Sequence, residues 1–445
     1  MVSHHPHHCG AILKYSKRAA WGLLSAVVIL AGCNSTSRTS ASNAPLLVGP
    51  SPIQERPQSA AGPNAELRNA EIFLDVAIPV FNPGLPIDAF GEIDGDELEE
   101  EGIWPQLRRT EAKLFAAEMK TALDNEQVFG SVSVVPDAST PSDLFVLGEI
   151  IQSDSEEVEI EVMVVNSTGE IMGKRRFDHT VSTGFMRDQL NTGRNPYEPV
   201  FKKASAYVVE ILADLSKQEK TYIKNMSLMR YARYYSPESY DKYISTDIKR
   251  KNGQRYYQFE LTGLPDENDP MLTRIRDLRA QELLFVDRLQ DNYDVFQAET
   301  KTAYATWQEE TLPEILAARE AQAQRNKQAL LGVGAAILTA VLIKKASERA
   351  DSGRDSSDLN LGAVAAGLGS VYAINEAFKS NARLKVHSEV IEEQGQALDL
   401  SVSPTVIEFE NQTLELQGTA QEQYLQWKTH LRKIFKEEET PDIQL

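Results

Sequence analysis

The segment Glu157-Val158-Glu159-Ile160-Glu161-Val162-Met163-Val164 constrains this chain most, because its apolar residues recur at every second position. On an extended backbone, successive side chains point to opposite faces. Val158, Ile160, Val162 and Val164 then share one face, and Glu157, Glu159 and Glu161 the other. A helix would scatter both sets around its axis. The segment therefore predicts a half-buried strand with one face on a core and one in water. Such a strand needs neighbours. Asn166-Ser167-Thr168-Gly169 reads as a turn and 171–181 as the returning partner. The stretches 72–81, 128–135 and 144–152 read as further strands. Between them, residues 103–123 turn helical, with Trp104, Leu107, Leu114, Phe115, Met119 and Leu123 mostly three or four apart. An acidic loop, 92–101, precedes that helix and complements its N-terminal dipole. Val200, Ala204, Val208, Ile211, Leu212 and Leu215 mark a second amphipathic helix over 199–216. The order β-α-β-β-β-α predicts a mixed sheet with helices on one face.

Residues 219–326 read as mainly helical. Tyr222, Tyr231, Tyr234 and Tyr235 crowd one stretch, and Ser236-Pro237 breaks it. Residues 249–253 (KRKNG) read as a basic turn and 255–261 as a strand. A long helix is expected over 271–310, with Val286, Leu289, Tyr293, Phe296, Thr300, Ala303 and Trp307 in heptad register. That seam fits a bundle core and an oligomerising coil equally. Pro313 is expected to kink or restart the helix. Near the C-terminus, 397–402 and 406–416 read as two β-like runs. An amphipathic helix over 422–436 closes the chain.

Residues 329–343 (ALLGVGAAILTAVLI) carry no charge, and 359–374 form a second, nearly apolar stretch. Small residues stand four apart in both: Gly332, Ala336 and Ala340, then Gly362, Ala366 and Ser370. This spacing makes a smooth groove along a helix and lets two backbones approach closely. The pair resembles the glycine-zipper hairpins of envelope proteins. Each stretch is shorter than the roughly 20 residues of a full membrane span. Entry into a bilayer and packing inside a protein or oligomer both stand open.

At the N-terminus, Lys14, Lys17 and Arg18 precede the apolar run 19–31, which has the length of a signal-peptide core. It ends in Leu30-Ala31-Gly32-Cys33, which resembles the lipobox of bacterial lipoproteins. The resemblance implies diacylglyceryl on Cys33, cleavage before it, and Leu30, Ala31 and Gly32 as the signal-peptidase recognition residues. Residues 34–70 are rich in Ser, Thr, Pro, Ala and Asn and read as a flexible tether. Asn34, where inner-membrane retention would favour Asp in the enterobacterial scheme, points to the outer membrane. The run His4-His5-Pro6-His7-His8-Cys9 lies upstream of that cleavage. Farther along, residues 162–171 (VMVVNSTGEI) and 143–150 (DLFVLGEI), with Tyr197-Glu198-Pro199-Val200, resemble segments of the curli-secretion channel lipoproteins. That resemblance implies a periplasmic α/β domain able to form oligomeric rings. The long alternating strand pairs that such channels insert into a membrane are not evident in 70–218.

The chain carries a net charge of −19, which argues against nucleic acid as a partner. Downstream of Cys33 there is no other cysteine and so no internal disulfide. The histidines there, His179, His387 and His430, lie far apart, and no HExxH, GxSxG or P-loop pattern occurs. Asp94-Gly95-Asp96-Glu97 echoes a calcium loop without its twelve-residue frame. No catalytic residue, metal site or cofactor is therefore expected. The fold class expected is α+β: signal peptide 1–32, tether 33–70, mixed α/β sheet domain 71–218, helical region 219–326, glycine-rich apolar hairpin 327–380, and β-hairpin plus helix 381–445. The function expected is non-enzymatic. A lipid-anchored protein on the periplasmic side of the outer membrane would support assembly through self-association or another envelope protein. An export-channel subunit and a periplasmic hydrolase are the alternatives.

Overall fold

The computed structural model of the chain describes residues 64–251, 254–347, 385–409 and 412–439. A turn of helix, α1 (Ala65–Arg68), leads into β1 (Val76–Pro79), the core of the strand expected at 72–81. The stretch 92–101, expected as an acidic loop, contains α2 (Gly95–Glu101). Asp94 caps this helix by accepting from the N–H groups of Asp96 and Glu97, and Gly102 ends it in the left-handed conformation. A capped N-terminus with acids in its first turn outweighs repulsion among the carboxylates. The cap is also what the calcium-loop echo amounts to: Asp94 serves the backbone. Next come α3 (Pro105–Glu126), β2 (Val132–Val135), β3 (Leu144–Ser153), β4 (Glu157–Asn166), β5 (Ile171–Thr180) and α4 (Glu198–Ala213).

These strands form one five-stranded sheet in the order β2-β1-β3-β4-β5. β1 runs parallel to both β2 and β3, while β3, β4 and β5 are antiparallel. Parallel neighbours need a crossover, and α3 supplies it between β1 and β2. On β4, Val158, Ile160, Val162 and Val164 are buried, as the alternation demands. On its opposite face Glu161 pairs with Lys174 at 2.5 Å and Arg176 at 3.1 Å from β5. The helices α3 and α4 pack together beside the sheet, with Phe115 and Phe201 edge to face at 5.2 Å. The fold is α+β, as expected.

A capping box of Ser216 and Glu219 opens α5 (Lys217–Tyr235), and α6 (Pro237–Tyr240) follows the break at Ser236. The run expected as a basic turn instead belongs largely to β6 (Ile244–Lys251), which pairs in register with β7 (Gln254–Leu261). β6 lacks apolar alternation, so its periodicity is silent. Its hairpin is held from outside, where the Phe259 N–H donates to the Thr168 carbonyl at 2.8 Å.

The helix α7 (Pro270–Ser347) runs on through Pro313. Pro313 and Glu309, whose carbonyl loses its helical donor there, are both exposed, so water can take the donor's place. Val286, Leu289, Tyr293, Phe296, Thr300, Ala303 and Trp307 are all buried within this chain. The heptad seam is thus a core seam. At the C-terminus lie α8 (Lys385–Gln394), β8 (Thr405–Phe409), β9 (Gln412–Leu416) and α9 (Ala420–Glu439). The stretch 397–402 is not a strand and makes one bridge, Ser401 to Thr419. The hairpin spans Thr405 to Leu416 and so splits the single run expected at 406–416, where polar Glu410-Asn411 interrupts the apolar pattern. One hydrophobic core runs from Leu74 to Phe435, so segments that read as separate share it. Lys113 of α3 ties in the C-terminal part through its Nζ, which donates to the carbonyls of Gln394 at 2.5 Å and Ala397 at 3.0 Å.

Candidate functional site

Leu30, Ala31, Gly32 and Cys33 lie outside the described residues, as do Gly362, Ala366 and Ser370. Gly332, Ala336 and Ala340 lie on α7, which stays helical through them. Steps of four residues place them along one side of that helix. Arg319 is a strong tie of α7 to the body: it pairs with Asp154 at 2.5 Å, with Glu157 at 3.0 Å and with Glu156. Immediately after it, Glu320, Ala321, Ala323 and Gln324 are exposed. From Arg319 to Ser347 the helix advances about 42 Å at 1.5 Å per residue. Among the described residues no helix is long and apolar enough to cross a membrane.

Inside the body, periodicity does not reveal a second feature: a buried carboxyl network beside a cavity. Glu111 on α3 is fully buried. Its Oε1 accepts from Ser153 Oγ at 2.6 Å and from Tyr304 OH at 2.7 Å, and Oε2 lies 3.5 Å from Arg108 Nε. Burial pushes this carboxyl up to about 7, against the pull of Arg108. Burial also raises the phenols of Tyr197 and Tyr304, and the nearby Glu111 charge raises them further. Tyr197 OH in turn accepts from the Ser155 N–H at 2.8 Å, which fixes the β3–β4 turn.

Tyr304 separates this network from a cavity of about 280 Å³ between α3, α7 and the loop 185–196. Leu114, Phe115, Phe185 and Met186 give it apolar walls. Glu118, two helical turns along α3 from Glu111, sits at its edge, and Gln297 Nε2 donates to it at 3.1 Å. Burial raises the Glu118 carboxyl as well. The arrangement suits a ligand with an apolar body and a hydrogen-bonding head. Glu111 has two hydroxyl donors and a guanidinium around it, which marks a packed structural acid rather than one open to substrate. None of His179, His387 and His430 lines this cavity. Among the described residues no group of His, Cys, Asp and Glu is placed to hold a metal ion.

No protein-family model, curated protein or solved structure matches the chain.

Proposed function

We propose that this chain is a lipid-tethered, non-enzymatic protein of the bacterial envelope. It stands on the periplasmic side of the outer membrane, held by diacylglyceryl on Cys33. It acts in assembly or scaffolding, through contacts with copies of itself or with another envelope protein. The observation that carries this reading is the division of labour along α7. Its first part is a buried seam of the core, Arg319 clamps it to the β3–β4 turn, and the helix continues as far as Ser347 with the uncharged stretch 329–343 on it. A helix with small residues four apart at Gly332, Ala336 and Ala340 is suited to association, because such spacing admits a close backbone. The lipobox-like Leu30-Ala31-Gly32-Cys33 and the polar stretch after it support the tether. Two acyl groups on one cysteine hold a protein firmly to a bilayer.

The test is particle size. Full-length protein and a variant lacking 329–374 are extracted in mild detergent and measured by light scattering. The expected result is a multimer for the full chain and a monomer for the deletion. Monomers in both would overturn self-assembly, and retention of both variants in the membrane pellet would then leave a tethered module that binds other proteins. A hydrolytic activity lost on truncating Glu118 would overturn the non-enzymatic reading.

A further inference from the structure

A second pocket, of about 380 Å³, opens between α5, β7, α9 and the loop 138–142. In a chain of net charge −19 its lining contains no acid, yet it holds Arg230, Arg233 and Lys428. Arg230 lies over the Phe259 ring at 4.2 Å, and its Nη1 donates to the Ser167 carbonyl at 2.7 Å. A guanidinium carries five N–H donors, so among the described residues most of this fork has no acceptor. Burial, then the neighbouring Arg233, pulls the Arg230 guanidinium down to about 10. Lys428 is 8 % exposed; its Nζ donates to Ser139 O and Oγ, both at 3.1 Å, and lies over the Tyr234 ring at 4.7 Å. Among the described residues, the only ion pair any of these three makes is Arg233 to Asp241, at 3.8 Å.

The acids behind the pocket wall are engaged by other groups. Asp143 meets Lys224 at 3.1 Å and Arg279 at 3.6 Å. Glu282 accepts from Tyr231 OH at 2.9 Å and from Tyr424 OH. Burial raises the Glu282 carboxyl, which lowers its capacity to neutralise Lys428. Asp137 and Glu282 feel the Lys428 charge at longer range, but among the described residues no carboxylate forms an ion pair with Arg230 or Lys428, so their positive charge is only partly offset. Such charge is costly unless something else compensates it. Three cations match a dianion better than a single carboxylate. A planar guanidinium beside an ammonium suits a tetrahedral oxyanion. Phe145, Phe259 and Tyr234 line the same space and suit a flat apolar group next to that anion.

We propose that this pocket is a phosphate-binding site, with Arg230 as its principal ligand and Lys428 and Arg233 completing the charge. The phosphate is either free or carried as a monoester on a small aromatic or apolar group.

Full-length protein in non-ionic detergent, in a buffer free of phosphate, is titrated calorimetrically with inorganic phosphate and phenyl phosphate, with phenol as the uncharged control. The expected result is saturable binding of a phosphate probe and none of phenol. Tighter binding of phenyl phosphate identifies an ester site, and equal affinities a site for the free ion. R230Q is expected to weaken binding at least tenfold and R233Q severalfold. R288Q, at an exposed arginine on α7, is expected to change nothing. R233Q carries the test should R230Q fail to fold. No saturable binding by the wild type would overturn the proposal. So would unchanged affinity in both pocket variants, or an equal loss in R288Q.

Discussion

Gln290 on α7 pairs with Val134 on β2 as a neighbouring strand would. Its Nε2 donates to the Val134 carbonyl at 2.8 Å, and its Oε1 accepts from the Val134 N–H at 2.9 Å. β2 ends the sheet, and an open edge leaves backbone groups that recruit other chains. The core helix closes that edge with one amide. Q290A strips two buried backbone groups of their partners, each worth about 1–3 kcal/mol, so a loss of about 2–6 kcal/mol is expected in urea unfolding. Q290E should lose at least as much, because it sets a carboxylate against the Val134 carbonyl. A loss under about 1 kcal/mol would mean that water replaces the amide without penalty.

The raised carboxyl of Glu111 makes a pH signature. Its folded value, about 7, lies above the ordinary 4.5, so folding favours the protonated form. The stability this group contributes is complete below the ordinary carboxylate range and is lost as pH rises through about 7. Glutamine does not titrate. Each tenfold difference in proton affinity between folded and unfolded chain is worth about 1.36 kcal/mol, so the wild type should lose about 2–3 kcal/mol relative to E111Q between pH 5 and pH 8. The cost of leaving Arg108 without its partner is the same at both pH values and drops out of the difference. Equilibrium unfolding of both proteins at the two pH values measures it. A flat difference would show that the carboxyl titrates as an exposed one does.

Gly169 closes the β4–β5 hairpin with φ +80°, a conformation that L side chains avoid. An added Cβ would also stand 2.1 Å from the Tyr257 carbonyl oxygen on β7. That backbone is tied in place by the Phe259 N–H bond to Thr168. G169A therefore combines left-handed strain of about 1 kcal/mol with a clash, and about 2–4 kcal/mol in total is expected from thermal or urea unfolding. A cost near 1 kcal/mol would show that the β6–β7 hairpin swings away, and faster hydrogen exchange confined to that hairpin would then accompany it.

The same turn shows where sequence reasoning reached and stopped. Asn166-Ser167-Thr168-Gly169 is legible as a turn because each residue type favours one, and β4 is legible because its sheet keeps one face wet. That β7 docks on this turn is not legible, since the contact is between backbones remote in sequence. β6 is mostly polar, its two apolar residues Ile244 and Ile248 stand four apart, and it has no alternation to read. The heptad seam of α7 stands out, but its partner does not: a/d spacing looks the same against a core and against another coil. Glu111, Glu118 and Glu282 were hidden among 65 acidic residues, because what distinguishes them is burial and not spacing. Arg230 was hidden likewise, being one basic residue near aromatics until it is seen to form no ion pair among the described residues.

Lys113 provides a local test of how the C-terminal part is attached. It is buried on α3, and its Nζ donates to the carbonyls of Gln394 at 2.5 Å, Ala397 at 3.0 Å and Asp399 at 3.5 Å. Burial pulls its ammonium down to about 8. Methionine keeps the apolar stem, so K113M leaves the packing on α3 nearly intact and removes the donors together with the charge over the Phe296 ring at 5.1 Å. The carbonyls it strands lie at the last residue of α8 and on the segment between α8 and β8, which can meet water by opening without unfolding the sheet. Amides over 394–402 should then exchange about tenfold faster or more, equivalent to roughly 1.4 kcal/mol of local stability, while those of β3 and β4 keep their protection. Acceleration spread evenly over all strands would place Lys113 in the global stability of the core. Unchanged exchange at 394–402 would mean that Thr110 Oγ1, which donates to the Ile391 carbonyl at 3.1 Å, and the apolar contacts of α8 suffice to hold that segment.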